Sequence, residues 1–256
     1  MKRDAFGRNV SPLVRPAASV EPAAWLAGNL LPWGKQWGTR VCSVAPLGFE
    51  AYVRILHPAF GPPPDRTQLP WREIGERLHH SVHAETQWET LEELAAIAGG
   101  RPPWHEDPAI GRCPPEVRTT LGEHLSRHTQ TPAEIYYAMW IGFADVQSVV
   151  RQAPQFTLPG REYALLNGPI TAFPSVIESK SAHIAGPSLS WPADRAWCVA
   201  TEIDFRWTYV AGTEAFVSAM QVDQRLEVLR TVPEHRGDIE SDWRRSPPSP
   251  ETDLSV

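Results

Sequence analysis

Proline restricts this chain more than any other residue. It occupies 26 of the 256 positions, twice the ordinary share of about 5%. Its ring fixes φ and removes the backbone N–H, so helix interiors and central strands reject it. Short regular elements separated by loops, turns and edge segments are therefore expected. The apolar fraction of 42% still allows a folded body, and 11 tryptophans stand where aliphatic side chains are scarce.

The formal net charge of −6 argues against a generally basic surface for nucleic acid or anionic membrane. Nearly all the basic residues are arginine, the usage of a GC-rich genome. Cys42, Cys113 and Cys198 are odd in number and lie far apart, with no C-x-x-C pair. That pattern suggests neither a zinc ribbon nor a disulfide framework, and it fits a reducing cytoplasm. No apolar stretch follows the charged start Met1-Lys2-Arg3-Asp4, so no secretory signal is expected. The longest apolar run, Ile135 to Ala144, is too short to cross ~30 Å of hydrocarbon. The expectation is a cytoplasmic protein with no nucleic-acid partner, no membrane and no cofactor.

Periodicity divides the chain into a flexible lead-in over 1–24, a globular body over 25–233, in one domain or two lobes, and a disordered tail over 234–256. Within the body, Thr39–Pro58 reads as a hairpin, with Arg40–Val44 and Phe49–Leu56 as its arms. Trp71–Val82 and Thr86–Ala98 read as helices, the second stopped by Gly99-Gly100. Pro114-Pro115 opens a helix over Glu116–Arg127. Thr131 to Glu134 has the form of a capping box, but the aromatic run Ile135–Ile141 fits a pleated surface better, so a turn and a buried strand are expected. Arg161–Leu166, Arg195–Ile203, Trp207–Val210 and Leu226–Thr231 read as strands. Ala182–Pro192 reads as loop, and Thr213 caps a helix over Glu214–Val222. Segregated strands and helices give an α+β class, with an antiparallel or mixed sheet and three to four packed helices.

The chain lacks the signatures of P-loop, Rossmann, α/β-hydrolase and zincin chemistry. His79, His80, His83 and Glu85 form a cluster in which His79 and His83, four apart on a helix, share a face and suit a metal. Crowding of polar residues at a solvated helix end is the leading explanation of the cluster. His124 and His128 have the same spacing but flank an apolar stripe, which packing explains. In Trp191–Asp204, Glu202 and Asp204 lie two apart, and a strand would turn both to one face about 7 Å apart. That suits a divalent cation or an acid–base pair, or simply a strand end in water. Asp194 and Arg195 point apart there and need other partners. Cys198 sits among apolar neighbours as a small core residue. Trp191, Trp197 and Trp207 cluster late in the chain, and tryptophan either fills a core or anchors a partner.

Four pieces carry a resemblance: Phe49-Glu50-Ala51-Tyr52-Val53-Arg54 with His57-Pro58, Arg161–Pro169, Trp191–Asp204, and Leu226-Glu227-Val228. Together they are similar to a family of uncharacterised proteins of high-GC Gram-positive bacteria with no assigned activity. The resemblance implies one folded body in the same compartment and transfers no catalytic residue.

Two functions follow. The leading one is a binding or interaction protein, not an enzyme. It would recognise a protein partner or small ligand through Trp191, Asp194, Arg195, Trp197, Glu202, Asp204 and Trp207. It requires a face or cleft exposing at least two of those tryptophans. The alternative is a metal-assisted hydrolase or transferase using Glu202 and Asp204 with His57 or His183. It requires those groups to converge.

Overall fold

The computed structural model describes residues 9–33, 39–142, 148–178, 186–238 and 241–242. A nine-stranded antiparallel sheet organises them. In chain order its strands are β1 (Arg15–Pro16), β2 (Ala51–Leu56), β3 (Ile135–Trp140), β4 (Gln155–Leu158), β5 (Arg161–Gly168), β6 (Leu189–Pro192), β7 (Cys198–Ala200), β8 (Trp207–Gly212) and β9 (Glu227–Thr231). In space they run β9-β2-β8-β7-β6-β3-β5-β1, with β4 also on β5. Among the described residues, four helices of seven residues or more pack against it: α1 (Trp71–Arg77), α2 (Trp88–Ile97), α3 (Pro115–Arg127) and α4 (Glu214–Gln221). This is the expected α+β architecture. Among the described residues, no helix is long and apolar enough to cross a membrane.

Period-two alternation gives the sheet two apolar faces. Tyr52, Leu56, Tyr136, Ala138, Leu165, Trp207 and Tyr209 face a core closed by α1 and α2. Ala51, Val53, Ile55, Ile135, Tyr137, Leu166 and Val210 face a second core closed by α3 and α4. The result is three layers. Tryptophan supplies much of the bulk: Trp71, Trp88, Trp104, Trp191, Trp197 and Trp207 are all buried. Each removes ~200 Å² from water, about 5 kcal/mol at ~25 cal/mol per Å². That is how a chain modest in aliphatic residues fills two cores.

Several elements follow directly from local signals. Gly99 takes φ 70° just after α2, as a left-handed helix stop does. Pro115 opens α3. The Thr213 side chain accepts the Phe216 N–H and caps α4. The Ile135–Trp140 run is a strand preceded by a turn, in which Glu134 N–H donates to Thr131 O at 3.0 Å.

Other expectations are corrected. Arg40–Val44 is no hairpin arm. Val41–Ser43 forms one 3-10 turn, because the Val41 and Cys42 N–H groups donate to His235 and Pro233 carbonyls and the winding buries three consecutive side chains. Leu189–Pro192 is a central strand rather than loop, with Pro192 at its last position. The strand expected over Arg195–Ile203 shrinks to Cys198–Ala200, because Arg195 takes φ 55° and the chain turns again at Glu202. The first helix stops at Arg77, short of Val82. Of the expected lead-in, residues 9–24 are packed: Val14, Ala17 and Ala23 are buried and β1 extends the sheet. Of the expected tail, residues 234–238 and 241–242 lie against the body, and Ser241 and Asp242 are buried.

Candidate functional site

The acidic residues Glu202 and Asp204 lie in a turn, not a strand. Phe205 N–H donates to Glu202 O at 3.1 Å, and two neighbouring segments clamp the loop. Gly111 N–H donates to Phe205 O, His57 N–H donates to Arg206 O, and the Arg206 guanidinium donates to Pro108 O. Gly111 sits at φ 71°, and a Cβ there would lie 2.3 Å from Ile203 O, so only glycine lets these loops approach.

The turn opens into a concave site rather than onto flat surface. A cleft of about 230 Å³ is lined by Trp33, Thr39, Gln87, Glu89, the turn from Glu202 to Trp207, Gly237 and Asp238. Two of its carboxylates are already engaged. Arg236 grips Asp238. Arg161 of β5 pairs with Glu202 at 2.5 Å, its guanidinium lying 4.9 Å from the Trp33 ring and 4.8 Å from Trp140. Glu202 is 3% exposed, and burial pushes its carboxyl up while Arg161 and the Ile203 N–H pull against that. Glu89 and Asp204 have no ion-pair partner among the described residues. On the same wall, Arg206 Nε is buried with no acceptor in hydrogen-bonding geometry, and the buried Trp207 indole N–H turns to the Tyr209 hydroxyl.

The other residues singled out in the sequence do not meet in this cleft. Trp191 lies in the first core, stacked on Tyr136 and edge-on to Trp25. Trp197 lies in the second core on the opposite face of the sheet, its Nε1 donating to Leu125 O at 3.1 Å. No face displays two of Trp191, Trp197 and Trp207, since all three are buried; this corrects the expectation of a tryptophan-rich recognition face. Asp194 staples a turn, accepting from Gln130 N–H, Thr129 Oγ1 and Ala196 N–H. Arg195 lies 5.5 Å from the Trp25 ring.

His57 does not join the acids. It is fully buried, with Nδ1 at 2.7 Å from Ala109 O and Nε2 at 3.0 Å from Thr208 Oγ1. His183 lies outside the described residues. His124 is a packed residue bonded to Asp223, and the His128 ring lies tilted against Phe216. His79 and His83 share no helix; His80 and His83 instead turn toward Asp242. Cys42, Cys113 and Cys198 are buried free thiols. Burial pushes Cys113 up to about 12, which makes it a poor nucleophile.

Trp33, Gln87, Glu89 and Arg161 are the cleft residues not singled out from the sequence. Arg161 is 41 residues from Glu202, so no local spacing signals the pair. Comparison of the chain with family models, curated proteins and solved structures finds no match.

Proposed function

We propose that this protein binds a compact, positively charged polar molecule in the cleft between the acidic turn and the start of α2. One observation carries the reading: the carboxylates of Glu89 and Asp204, without an ion-pair partner among the described residues, line one small cleft. A ligand with a cationic group answers both carboxylates together. The cleft volume, about 230 Å³, is below the ~300–1,000 Å³ of drug-sized pockets. It therefore favours a molecule the size of an amino acid or short amine. Half-buried Trp33 offers an apolar wall.

The protein-partner reading loses its support with the burial of the three late tryptophans. Metal-assisted hydrolysis at Glu202 and Asp204 is less favoured, because Arg161 already holds Glu202 and His57 faces Thr208. The buried thiols are compatible with a cytoplasmic setting.

Calorimetric titration of the full chain with L-arginine, agmatine and ethanolamine tests the reading. At least one should bind with one-to-one stoichiometry. Glu89→Gln with Asp204→Asn should weaken it about tenfold or more, as loss of charge-assisted hydrogen bonds does. Absence of binding by all three probes, or equal affinity in the double variant, overturns it.

A further inference from the structure

We propose that His80, His83 and Asp242 bind one divalent transition-metal ion of the zinc class, and that the ion ties the segment around Asp242 to the loop between α1 and α2. The inference is independent of the cleft reading and stands on different residues.

The backbone builds the site in two steps. Helix α1 ends at Arg77, and His79 takes φ 57°, reversing the chain. His80 N–H then donates to Gly75 O at 2.8 Å, which folds the loop back over the helix end. Gly75 permits this closeness, since a Cβ there would lie 2.6 Å from His80 O. His80 and His83 consequently leave the helix and reach one side together.

Asp242 is brought to them from the far end of the chain. Ser241 Oγ donates to Glu85 O and accepts from Gln87 Nε2, both at 2.8 Å. Gln87 N–H donates to Asp242 Oδ2 at 3.3 Å, and Arg236 N–H donates to Glu85 Oε1 at 3.0 Å. The Asp242 side chain is 2% exposed. A carboxylate this buried needs partners on its remaining lone pairs.

The two imidazoles face it. His83 Nε2 lies 2.9 Å from Asp242 Oδ1, and His80 Nε2 lies 3.5 Å from Oδ2. His80 Nε2 is itself buried and makes no hydrogen bond. It is a good donor atom aimed at a carboxylate from too far to bond it. One ligand atom from each residue lies within 4.8 Å of the others. Ligands around a tetrahedral ion with bonds of ~2.0–2.1 Å are about 3.4 Å apart. The imidazole side chains, 20% and 29% exposed, have room to close that gap by rotation. Two imidazole nitrogens with one carboxylate oxygen are a zinc donor set that leaves a fourth position to water on the exposed side. Glu85 and Arg54 are the nearby charges of opposite sign.

Coordination has an identifiable cost. Glu85 N–H donates to His83 Nδ1 at 3.2 Å, so Nε2 carries the ring proton toward Asp242. Binding through Nε2 needs that proton on Nδ1 instead. The ring stays neutral, the Glu85 hydrogen bond is lost, and a metal–nitrogen bond replaces it.

The test uses full-length protein stripped with chelator, then dialysed against Zn²⁺ or Co²⁺. The expected result is one equivalent bound and the visible bands of four-coordinate Co²⁺. Zn²⁺ should also raise Tm and move His83 to the Nδ1–H tautomer in ¹⁵N NMR. His80→Ala and His83→Ala should each abolish the bands and the Tm rise, while His79→Ala should leave both intact. His80→Ala removes no hydrogen bond, so its folding, checked by circular dichroism, should persist. Failure to bind one equivalent, or a Co²⁺ spectrum unchanged in folded His80→Ala, overturns the proposal.

Discussion

The Arg54 guanidinium carbon sits 3.6 Å from the centroid of the Trp207 ring, and this contact replaces an ion pair at the centre of the first core. Arg54 is fully buried on β2. Its Nη1 donates to Ala84 O at 2.9 Å, while Nε and Nη2 have no partner in hydrogen-bonding geometry among the described residues. Burial lowers its pKa to about 10, which leaves it charged at neutral pH. Taking an ion out of water costs several kcal/mol unless something answers the charge. The ring face of Trp207, with Trp71 at 5.7 Å, is that answer here, and Glu85, Glu89 and Asp242 add attraction from farther away.

A double-mutant cycle of Arg54→Met and Trp207→Leu should therefore show coupling of about 1–2 kcal/mol in urea unfolding, as desolvated cation–π pairs do. Additive effects within about 0.5 kcal/mol would mean that the ring face contributes packing alone.

The Arg161–Glu202 pair predicts an asymmetry. Both partners are largely buried, with side chains 14% and 3% exposed. Arg161→Met leaves a buried carboxylate without its cation and should cost about 3–5 kcal/mol. Arg161→Met combined with Glu202→Gln should recover a large part of that loss, because no unpaired charge remains. Equal destabilisation in the single and double variants would show that the stacking of Arg161 between Trp33 and Trp140, not the charge, holds the turn.

Asp194 separates structure from recognition. Its carboxylate accepts two hydrogen bonds from the turn at Thr129 and Gln130 and one from Ala196 N–H. Asp194→Ala should lower stability by about 1–2 kcal/mol and leave amine binding at the cleft unchanged. A selective loss of ligand affinity with unaltered Tm would instead return Asp194 to the recognition site.

What could be read from sequence divides by range. The α3 start at Pro115, the Gly99 stop, the Thr213 cap and the aromatic strand Ile135–Trp140 are decided within a few residues, and each stands where local chemistry puts it. Val41–Ser43 winds because carbonyls nearly 200 positions away take its N–H groups. Leu189–Pro192 becomes a strand because β3 and β7 flank it on both sides. The acidic pair was legible as chemistry but not as geometry, since Gly111 and Arg161 shape the turn from other loops. Tryptophan abundance was ambiguous for a physical reason: the same large apolar area serves a core or an interface, and only burial distinguishes them. Asp242 lay in a stretch whose composition resembles a tail, yet it meets His83 across the whole length of the body.

His57 makes stability depend on pH in mildly acidic solution. Burial is the main cause that lowers its pKa to about 3, and Arg54, Arg112 and Arg206 push the same way against the hydrogen bond to Ala109 O. The ring is therefore neutral in the folded chain, with Nδ1–H donating to Ala109 O and Nε2 accepting from Thr208 Oγ1. An unfolded histidine titrates near ~6.5. Between these values the unfolded chain binds a proton that the folded chain refuses, so stability rises with pH across the interval. The contribution is complete above about pH 6.5 and falls as acid is added, by about 1.4 kcal/mol per pH unit while only the unfolded form is protonated. His57→Gln keeps a donor and an acceptor but no titrating group. Urea unfolding at pH 7 and pH 5 should show the wild-type chain losing about 2 kcal/mol more than the variant. Parallel pH profiles for the two proteins would mean that His57 is accessible to protons in the folded state, contrary to its burial between Ala109 and Thr208.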